Sequence, residues 1–542
     1  MLARQGGFAS ERQMTSARPG DSPEVAPWLP TLTSLMFFAE AAWRIAAPGT
    51  SAPQRASAYF NAANFLALGM LGLCCVYWPT LSKWLPRRDE NENEIEEKTQ
   101  QVELENSPSL RDTEQRVVVE SGEATPSDEG GGRPDGAPEG PDAVPRGQQT
   151  EDVRPAAKVY LSSLTAFLVF MTVTNHVVKA FSEASLDRGL PQTEGVESFV
   201  TGAAWFLLTD QKSFIATLFL LTGLYCPEIL DRKGLRGFVI NAQVRLGGAW
   251  VLYSALLGPL TIMWGLDYLS LPLKYLYSSG PTWAVLWLLN FSIAYALIAQ
   301  IAPTVKWSMP HPFVLLLAGL ALSGVFYGMT VAAGDSRWNY FGTMNKWNYA
   351  VALYIPFFTV GVVGGRNDWL KSVEEMPAWV VWPLRLIVLG FWVTFFLATA
   401  QVTIPIPGLS LDSGLVDSIA PPLYATVVSL NLLFLFNRIS SSGKGQSKFM
   451  SNMGGAAYLV YVIQYVPMSV MLISWMEILR AAGVLISYEG TISYTYDDKG
   501  EPQLLSKGAV WGGFFFVLVL TQLIVWPLSF YLRKLPVMNK VF

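Results

Sequence analysis

Long runs of apolar residues recur along this chain, most of them close to the length of a helix that crosses a bilayer, which needs about 20 such residues. Two runs lie near the N-terminus, at 27–46 and 58–82. The first carries Glu40 and Arg44 near its end and is also compatible with a helix lying in the membrane interface. Ten more predicted spans follow residue 156: roughly 159–181, 212–229, 245–265, 281–302, 312–332, 348–365, 377–400, 418–437, 454–477 and 508–532.

A polar segment at 86–156 separates the two groups of apolar runs. It is rich in Glu, Gly, Pro and Gln, and between Arg87 and Arg154 it holds 19 acidic and 8 basic residues. Such a composition buries too little apolar surface to order itself, so we expect a disordered, solvated tether. An acidic docking or phosphorylated segment, with Ser107 and Ser127 in acidic context, is the functional alternative.

Composition narrows the classes of protein that fit. Hydrophobic residues make up 51% of the chain and charged residues 15%, whereas about 25% charged residues is usual for soluble domains. The pattern therefore predicts an all-α, polytopic membrane protein and excludes a soluble globular protein, a nucleic-acid binder and a disulfide scaffold. With only two histidines and three cysteines in apolar runs, we expect no metal site.

Lys and Arg collect on one side of the predicted spans, which indicates the cytoplasmic side. Arg87 and Arg88 agree with this side, as do Arg533, Lys534 and Lys540 near the end of the chain. The 1–26 tail, the linker and the 536–542 tail are therefore predicted to be cytoplasmic. Which membrane the protein occupies is left open.

His176 lies inside the first predicted span after the linker. An ionisable side chain inside a membrane helix is costly and usually faces a cavity or a partner, and neutral imidazole can accept a proton from a hydroxyl near neutral pH. A packing histidine bonded to Asn175 or to a neighbouring helix fits the bare residue equally well. His311, between Pro310 and Pro312, is interpreted as structural.

A basic loop follows the span that contains Gly223, a residue small enough to let helices approach closely. Four cations in and after this loop could hold an anionic group such as a phosphate: Arg232, Lys233, Arg236 and Arg245. Ordinary positive-inside topology explains the first three as exposed residues. Arg245 differs because it begins a span and is expected to point inward.

Four stretches together resemble the acyltransferase-3 family of integral membrane acyltransferases over about 155–535. They are YLSSLTAFLVFMTVTNH, ending at His176; SFIATLFLLTGLYCPEILDRKGLRGF with the later Arg245-Leu246-Gly247; GPTWAVLWLL, starting at Gly280; and YIPFFTVGVVGGRNDWL at 354–370. The resemblance implies a ten-helix bundle at 157–535, preceded by the N-terminal helices at 27–85. It also implies transfer of an acyl group, usually acetyl, from an acyl-CoA co-substrate to a hydroxyl, often of a carbohydrate, with His176 catalytic and the basic residues near Arg245 binding the donor.

The chain departs from the family pattern at five positions where an ionisable residue is common. A neutral residue stands at each of them: Ser162, Thr165, Ala242, Leu286 and Gln464. The leading hypothesis remains a membrane O-acyltransferase with no resident cofactor. A catalytically silent relative that binds or carries a lipid or acyl group is one alternative, and a transporter is another. A cavity joining His176 to the basic side would favour the enzyme.

Overall fold

A computed structural model gives the arrangement of the helices. It describes residues 28–46, 52–81, 155–182, 197–262, 280–302, 305–333, 337–340, 343–346, 349–400, 416, 419–441, 448–489, 492–496 and 505–542. The predictions for the 1–26 tail and for nearly all of the 86–156 linker lie outside these residues. Side-chain positions in parts of this set, including Glu40, Arg44 and Lys212, are likewise not described.

The N-terminal half of the described chain is helical. Its α-helices are α1 (Trp28–Ala46), α2 (Ala52–Leu81), α3 (Pro155–Ser182), α4 (Glu197–Ala242), α5 (Gly248–Val251) and α6 (Trp283–Ile298). Two π-helical turns, Gln243–Gly247 and Leu252–Leu257, flank α5, and the 3-10 turn Gly280–Thr282 leads into α6. The two π turns keep the path helical from α4 onward, so the chain does not turn back after α4 ends.

The C-terminal half adds helices and two short antiparallel hairpins. The helices are α7 (Pro312–Ala333), α8 (Ile355–Arg366, after a π turn at Ala350–Tyr354), α9 (Trp369–Glu374), α10 (Ala378–Thr399), α11 (Pro421–Ser441), α12 (Lys448–Ile463), α13 (Tyr465–Ala481), α14 (Lys507–Leu532) and α15 (Pro536–Val541). Strands β1 (Arg337–Tyr340) and β2 (Thr343–Lys346) pair with each other, as do β3 (Leu485–Glu489) and β4 (Ile492–Tyr496).

Seven helices of the described residues are long and apolar enough to cross a membrane, or eight if the bent pair α12–α13 counts as one span. This is compatible with an integral, multi-pass membrane protein. The count differs from ten because the predicted spans 212–229 and 245–265 fall within one candidate span, Ser198–Ile262, which is interrupted at Gly234, and because Ala350–Arg366 is a shorter apolar helix. The predicted span 454–477 contains a 63° bend between Ile463 and Tyr465.

Helix α4 is longer than its apolar pattern indicates. It begins at Glu197, so Asp210 lies about 20 Å along it at 1.5 Å per residue, whereas the predicted span begins only at 212. Gly234 interrupts the helix with φ 65° and ψ 172°, a backbone conformation that only glycine adopts readily. The basic loop is therefore a sharp break in a helical run, and Arg232 and Arg236 lie on either side of it.

Helices α4 and α8 approach each other through glycines. A Cβ atom added at Gly223 would overlap the Phe358 carbonyl oxygen, and one added at Gly361 would overlap the Leu220 carbonyl oxygen. Close backbone contact of this kind is a common way for membrane helices to associate, because lipid supplies little hydrophobic driving force. The pair forms the centre of the main core, in which Phe219 stacks on Tyr354 with ring centroids 4.8 Å apart.

The N-terminal helices α1 and α2 pack on the run that contains Arg245 and on α6. Phe37, Phe65 and Trp250 stack on one another within a buried cluster that also contains Ala242 and Leu286. The buried Gln243 amide donates to the Leu68 carbonyl at 2.8 Å. Two of the five positions at which the family pattern has an ionisable residue are thus apolar contacts of α1 and α2, where a charge would be desolvated.

Candidate functional site

A cavity of about 630 Å³ opens among α3, α4, α6, α12 and the π turn after α4. Its lining is mostly apolar in the interior and carries two arginines, Arg245 and Arg533. We call the end of the bundle at which these arginines lie the arginine end. The other lining residues are Ser162, Thr165, Val169, Ile215, Leu218, Phe219, Thr222, Tyr225, Cys226, Ile229, Phe238, Asn241, Ala242, Leu246, Ala284, Val285, Leu288, Ser292, Gly454, Gly455, Tyr458, Tyr461 and Phe542.

Arg245 and Arg533 come from distant parts of the chain. Arg245 lies in the π turn after α4, where it is exposed and lines the cavity. Arg533 caps α14, and its guanidinium lies so close to Gly455 that a Cβ there would overlap it. A second, more polar recess of about 570 Å³ shares both arginines and adds Lys534 and Lys540. Four cations therefore surround one entrance.

The segment 536–542 lies across this entrance. The Arg245 guanidinium donates to the Phe542 carbonyl oxygen at 3.4 Å, and the Phe542 ring packs on Tyr458 with centroids 5.3 Å apart. Tyr458 also donates its hydroxyl to the Arg245 carbonyl at 2.9 Å. The predicted tail at 536–542 is thus part of the cavity wall, with α15 covering one side of the entrance.

The other three predicted donor-binding residues do not line the cavity. Arg232 is exposed, and the Lys233 ammonium donates to Asn241 at 2.7 Å. The Arg236 guanidinium donates to the Cys75 carbonyl at 2.7 Å and to the Val76 carbonyl at 3.4 Å, in the last turns of α2. Arg236 therefore joins α2 to the bundle, and Lys233 acts only through a residue of the cavity wall.

His176 and Gln464 meet in the interior of the bundle. The Nδ1 atom of His176 lies 3.0 Å from Oε1 of Gln464, and the His176 ring packs against Tyr465 with centroids 4.8 Å apart. The Gln464 amide nitrogen donates to the Tyr461 carbonyl at 2.8 Å, so its oxygen must face the imidazole. Because an amide oxygen only accepts hydrogen bonds, Nδ1 carries a proton and Nε2 holds the lone pair of the neutral ring.

His176 is not among the residues that line the cavity. It nevertheless lies on the face of α3 that does line it, because Ser162, Thr165, Val169 and His176 follow a spacing of three, four and seven residues. Seven residues of helix place His176 about 10 Å beyond Val169. Tyr461 links the two sites: its side chain lines the cavity, and its carbonyl orients the Gln464 amide that bonds His176.

A second polar cluster lies next to His176 in sequence. Asp210 is 2% exposed, and its Oδ1 has no hydrogen-bond partner among the described residues. The buried Asn175 amide nitrogen also lacks a hydrogen-bond partner among the described residues, although the Asn175 side chain and the Lys179 ammonium of α3 both lie near Asp210. Buried carboxyl groups are rarely left without hydrogen-bond partners. The sequence analysis did not identify Asp210 as a buried polar residue of the core.

Residues 366–370, the Arg-Asn-x-Trp-Leu end of the last stretch that resembles the family, connect helices and loops of the bundle. The Arg366 guanidinium donates to both oxygens of Asp231 at 2.8 and 2.9 Å and to the Tyr295 hydroxyl at 2.9 Å. Asn367 accepts from the Trp307 backbone N–H, and the Trp369 indole donates to the Trp307 carbonyl. These residues join helices and loops and do not contact the cavity.

The sequence analysis used Arg533 only to indicate the cytoplasmic side and did not predict that it lines the cavity. Nothing in its local sequence distinguishes it from other basic residues that follow a span. Gln464 was recognised only as a departure from the family pattern. Among the described residues no group of three or more His, Cys, Asp or Glu side chains could hold a metal ion.

Comparisons of the chain with protein-family models, with curated proteins and with solved structures found no match.

Proposed function

We propose that this protein is a membrane O-acyltransferase of the acyltransferase-3 type, which binds an acyl-CoA-type donor in the cavity and transfers its acyl group to a hydroxyl of a carbohydrate or other small acceptor. One observation carries the proposal. The cavity has Arg245 and Arg533 at its entrance, and the α3 face that lines it leads to His176, whose Nδ1 bonds Gln464.

The entrance suits the head of such a donor. Guanidinium groups bind phosphate oxygens through paired, charge-assisted hydrogen bonds, and Lys534 and Lys540 add charge in the adjoining recess. The Arg245 guanidinium donates to the main-chain oxygen of Phe542 at 3.4 Å. In the proposed complex a phosphate oxygen of the donor replaces this oxygen as the acceptor.

The interior suits an apolar chain. On α4 the lining runs from Ile229 near the entrance to Ile215, a length of about 21 Å at 1.5 Å per residue. Phe219 and Val285 are buried along this stretch. Apolar walls favour the thioester arm and acyl group over water, and exclusion of water limits hydrolysis of the donor.

The chemistry assigned to His176 is general base catalysis. Nε2 would accept the proton of the acceptor hydroxyl while the hydroxyl oxygen attacks the thioester carbonyl carbon. The carbon–sulfur bond then breaks, and the imidazolium gives the proton to the leaving thiolate. The products are an ester and free CoA. Gln464 supports this role because it holds the proton on Nδ1 and leaves the lone pair on Nε2.

A second candidate is a silent relative that binds or carries a lipid or acyl group without turnover. The position of His176 outside the cavity lining favours it, as do the neutral residues at five positions of the family pattern. Loss of even one transition-state contact typically costs orders of magnitude in rate. The two candidates share the cavity and differ in whether acyl transfer occurs.

Turnover separates them. Purified protein in nanodiscs is incubated with radiolabelled acetyl- or octanoyl-CoA and a panel of glycosides and sterols, and labelled ester is measured beside His176→Ala and His311→Ala. If the protein is an O-acyltransferase, we expect ester formation that His176→Ala abolishes and His311→Ala leaves intact. No ester from any pair would support the carrier, and equal turnover in all three proteins would remove His176 from the mechanism.

Binding tests the shared part of the proposal. Scintillation proximity with labelled octanoyl-CoA should show binding that Arg245→Gln and Arg533→Gln each weaken at least fivefold. Arg232→Gln is the matched control, because Arg232 is exposed in the same basic stretch but does not line the cavity. If the control weakens binding as much as the cavity variants do, diffuse charge rather than a defined site binds the donor.

The same proposal includes the ten-helix architecture and a cytoplasmic arginine end. A CoA donor is made in the cytosol, so its entrance must face that side. Protease added to sealed, right-side-out membranes should leave the 86–156 linker intact and should cut it once the cytoplasmic face is opened. Cleavage from outside would invert the proposed topology.

A further inference from the structure

A cleft of about 270 Å³ lies between the start of α10 and the end of α11 and shares no lining residue with the cavity. Arg385 from α10 and Arg438 from α11 line it, together with Glu374, Asn437, Trp382 and the apolar residues Val381 and Phe434. None of these residues lines the cavity or contacts His176. The cleft is therefore a separate site that acyl transfer does not use.

The cleft lies where a membrane surface would be. It is formed by the first turns of the span Ala378–Thr399 and the last turns of the span Pro421–Ser440. Trp379 and Trp382 on α10 are 70% and 58% exposed, and tryptophans at the end of a span mark the level of lipid head groups. Further along α10, Leu386 and Leu389 are also exposed, as expected for a lipid-facing helix.

The cleft carries a net positive charge, which favours binding of an anion. The Arg385 guanidinium lies over the Trp382 ring, 5.2 Å from its centroid, and makes no ion pair among the described residues. Arg438 is exposed one helix away. Glu374 is the one carboxylate of the lining, so cations outnumber it by two to one. Basic pockets between membrane helices at this depth bind phosphate-bearing lipid heads.

We propose that this cleft binds the head group of an anionic glycerophospholipid, with Arg385 and Arg438 contacting the phosphate and the acyl chains lying along the exposed face of α10. One feature selects a membrane lipid over a soluble phosphate. The apolar face of α10, with Leu386 and Leu389 exposed, continues directly from the cleft and gives the acyl chains of a bound lipid a surface to lie on.

The test uses the full-length protein in detergent and native mass spectrometry with defined lipids. Phosphatidylglycerol is titrated against phosphatidylcholine with the same acyl chains, and glycerol phosphate supplies the head group without chains. We expect phosphatidylglycerol to bind at least fivefold more tightly than phosphatidylcholine, and glycerol phosphate to bind far more weakly than either lipid.

Variants assign the binding to the cleft. Arg385→Gln and Arg438→Gln should each weaken phosphatidylglycerol binding about fivefold, as expected for one cation near a head group. Glu374→Gln should strengthen it, which guards against loss of binding through misfolding. Arg480→Gln is the control, since Arg480 is an exposed arginine paired with Glu477 at 2.8 Å.

Three results would overturn the proposal. Equal binding of the two lipids would show that charge is not recognised. Equal binding of glycerol phosphate and phosphatidylglycerol would assign the cleft to a soluble anion. Unchanged binding in the Arg385→Gln, Arg438→Gln double variant would place the lipid elsewhere.

Discussion

His176 and Gln464, 288 residues apart in the chain, meet through a 3.0 Å contact between Nδ1 and Oε1. The resemblance to the acyltransferase-3 family singles out both positions, one as the implied catalytic histidine and the other as a neutral residue where the family pattern commonly has an ionisable one. Their contact gives Gln464 a physical role. It fixes the tautomer and the orientation of the only imidazole inside a predicted span.

The first prediction concerns that tautomer. In protein labelled with ¹⁵N-histidine, His176 should show a protonated Nδ1 and an unprotonated Nε2 at neutral pH. Gln464→Leu removes the acceptor, so the ring should populate both tautomers, and the free energy of unfolding should fall by about 1 kcal/mol. Because the chain has two histidines, His311→Ala assigns the spectrum. An Nε2-protonated ring in the unmodified protein would refute the assignment.

Much of the helical architecture follows from the sequence, since the period and length of apolar runs located most of the long helices to within a few residues. The number of spans did not follow from the sequence: ten were predicted after the linker, and the described residues contain seven candidate spans, or eight if the bent pair counts as one. The run Ser198–Ile262 contains Asp210 and the basic loop, and hydropathy averages over such polar residues without showing whether the backbone turns back. Gly234 breaks this run with a left-handed backbone conformation, and the segments on both sides of it line the same cavity. A single glycine in the sequence does not reveal such a break.

Residues of the candidate site could be predicted where their own sequence neighbourhood identifies them, and not where tertiary packing brings them to the site. Arg245 and His176 were identified because each is an isolated ionisable residue at a span. Arg533 was not, because its place in the cavity depends on α14 ending beside Gly455. The separation of His176 from the cavity could not be predicted either, since it depends on how α3 packs against Gln464 and Tyr465, which are 288 residues or more away in the sequence.

The second prediction concerns Asp210. Asp210→Ala leaves the buried Asn175 side chain and the Lys179 ammonium without the carboxylate, so it should lower the free energy of unfolding by about 1–3 kcal/mol. Asp210→Asn keeps the shape and one acceptor oxygen, so its cost should be smaller. Thermal unfolding in detergent measures both. A larger loss for Asp210→Asn would show that the charge itself is required.

The third prediction concerns the contact of α4 with α8. Gly361→Ala places a Cβ against the Leu220 carbonyl oxygen, which cannot move without shifting the helix. We expect a loss of about 1–3 kcal/mol, the usual cost of overpacking. Gly390→Ala is the matched control: it lies within α10 with nothing within 4 Å of an added Cβ, and it should be neutral or slightly stabilising. Equal effects of the two changes would contradict close packing at Gly361.

The fourth prediction concerns the ion pair between Arg366 and Asp231. The two side chains are 27% and 60% exposed, so solvent screens the pair, and Asp231→Asn should cost only about 0.2–1 kcal/mol. Arg366→Ala should cost more, because it also removes the donor to the Tyr295 hydroxyl. Chemical or thermal unfolding of both single variants and the double variant measures the coupling. A coupling energy near zero would mean that the pair adds nothing to stability.

The last prediction is the pH dependence of lipid binding at the cleft of Arg385 and Arg438. Partial burial and the neighbouring Glu375 carboxylate raise the pKa of Glu374, and the Lys371 ammonium opposes that shift. As the pH falls through this raised pKa, Glu374 loses its negative charge while the cations and the phosphodiester of phosphatidylglycerol keep theirs.

Phosphatidylglycerol should therefore bind more tightly at pH 4, below the ordinary pKa of a glutamate, than at pH 8, and Glu374→Gln should bind at pH 8 more tightly than the unmodified protein does at that pH. Native mass spectrometry at the two pH values measures both. Glu375→Gln is the control, since Glu375 does not line the cleft and should leave most of the pH dependence in place. The same pH dependence in Glu374→Gln as in the unmodified protein would assign it to a group outside the cleft.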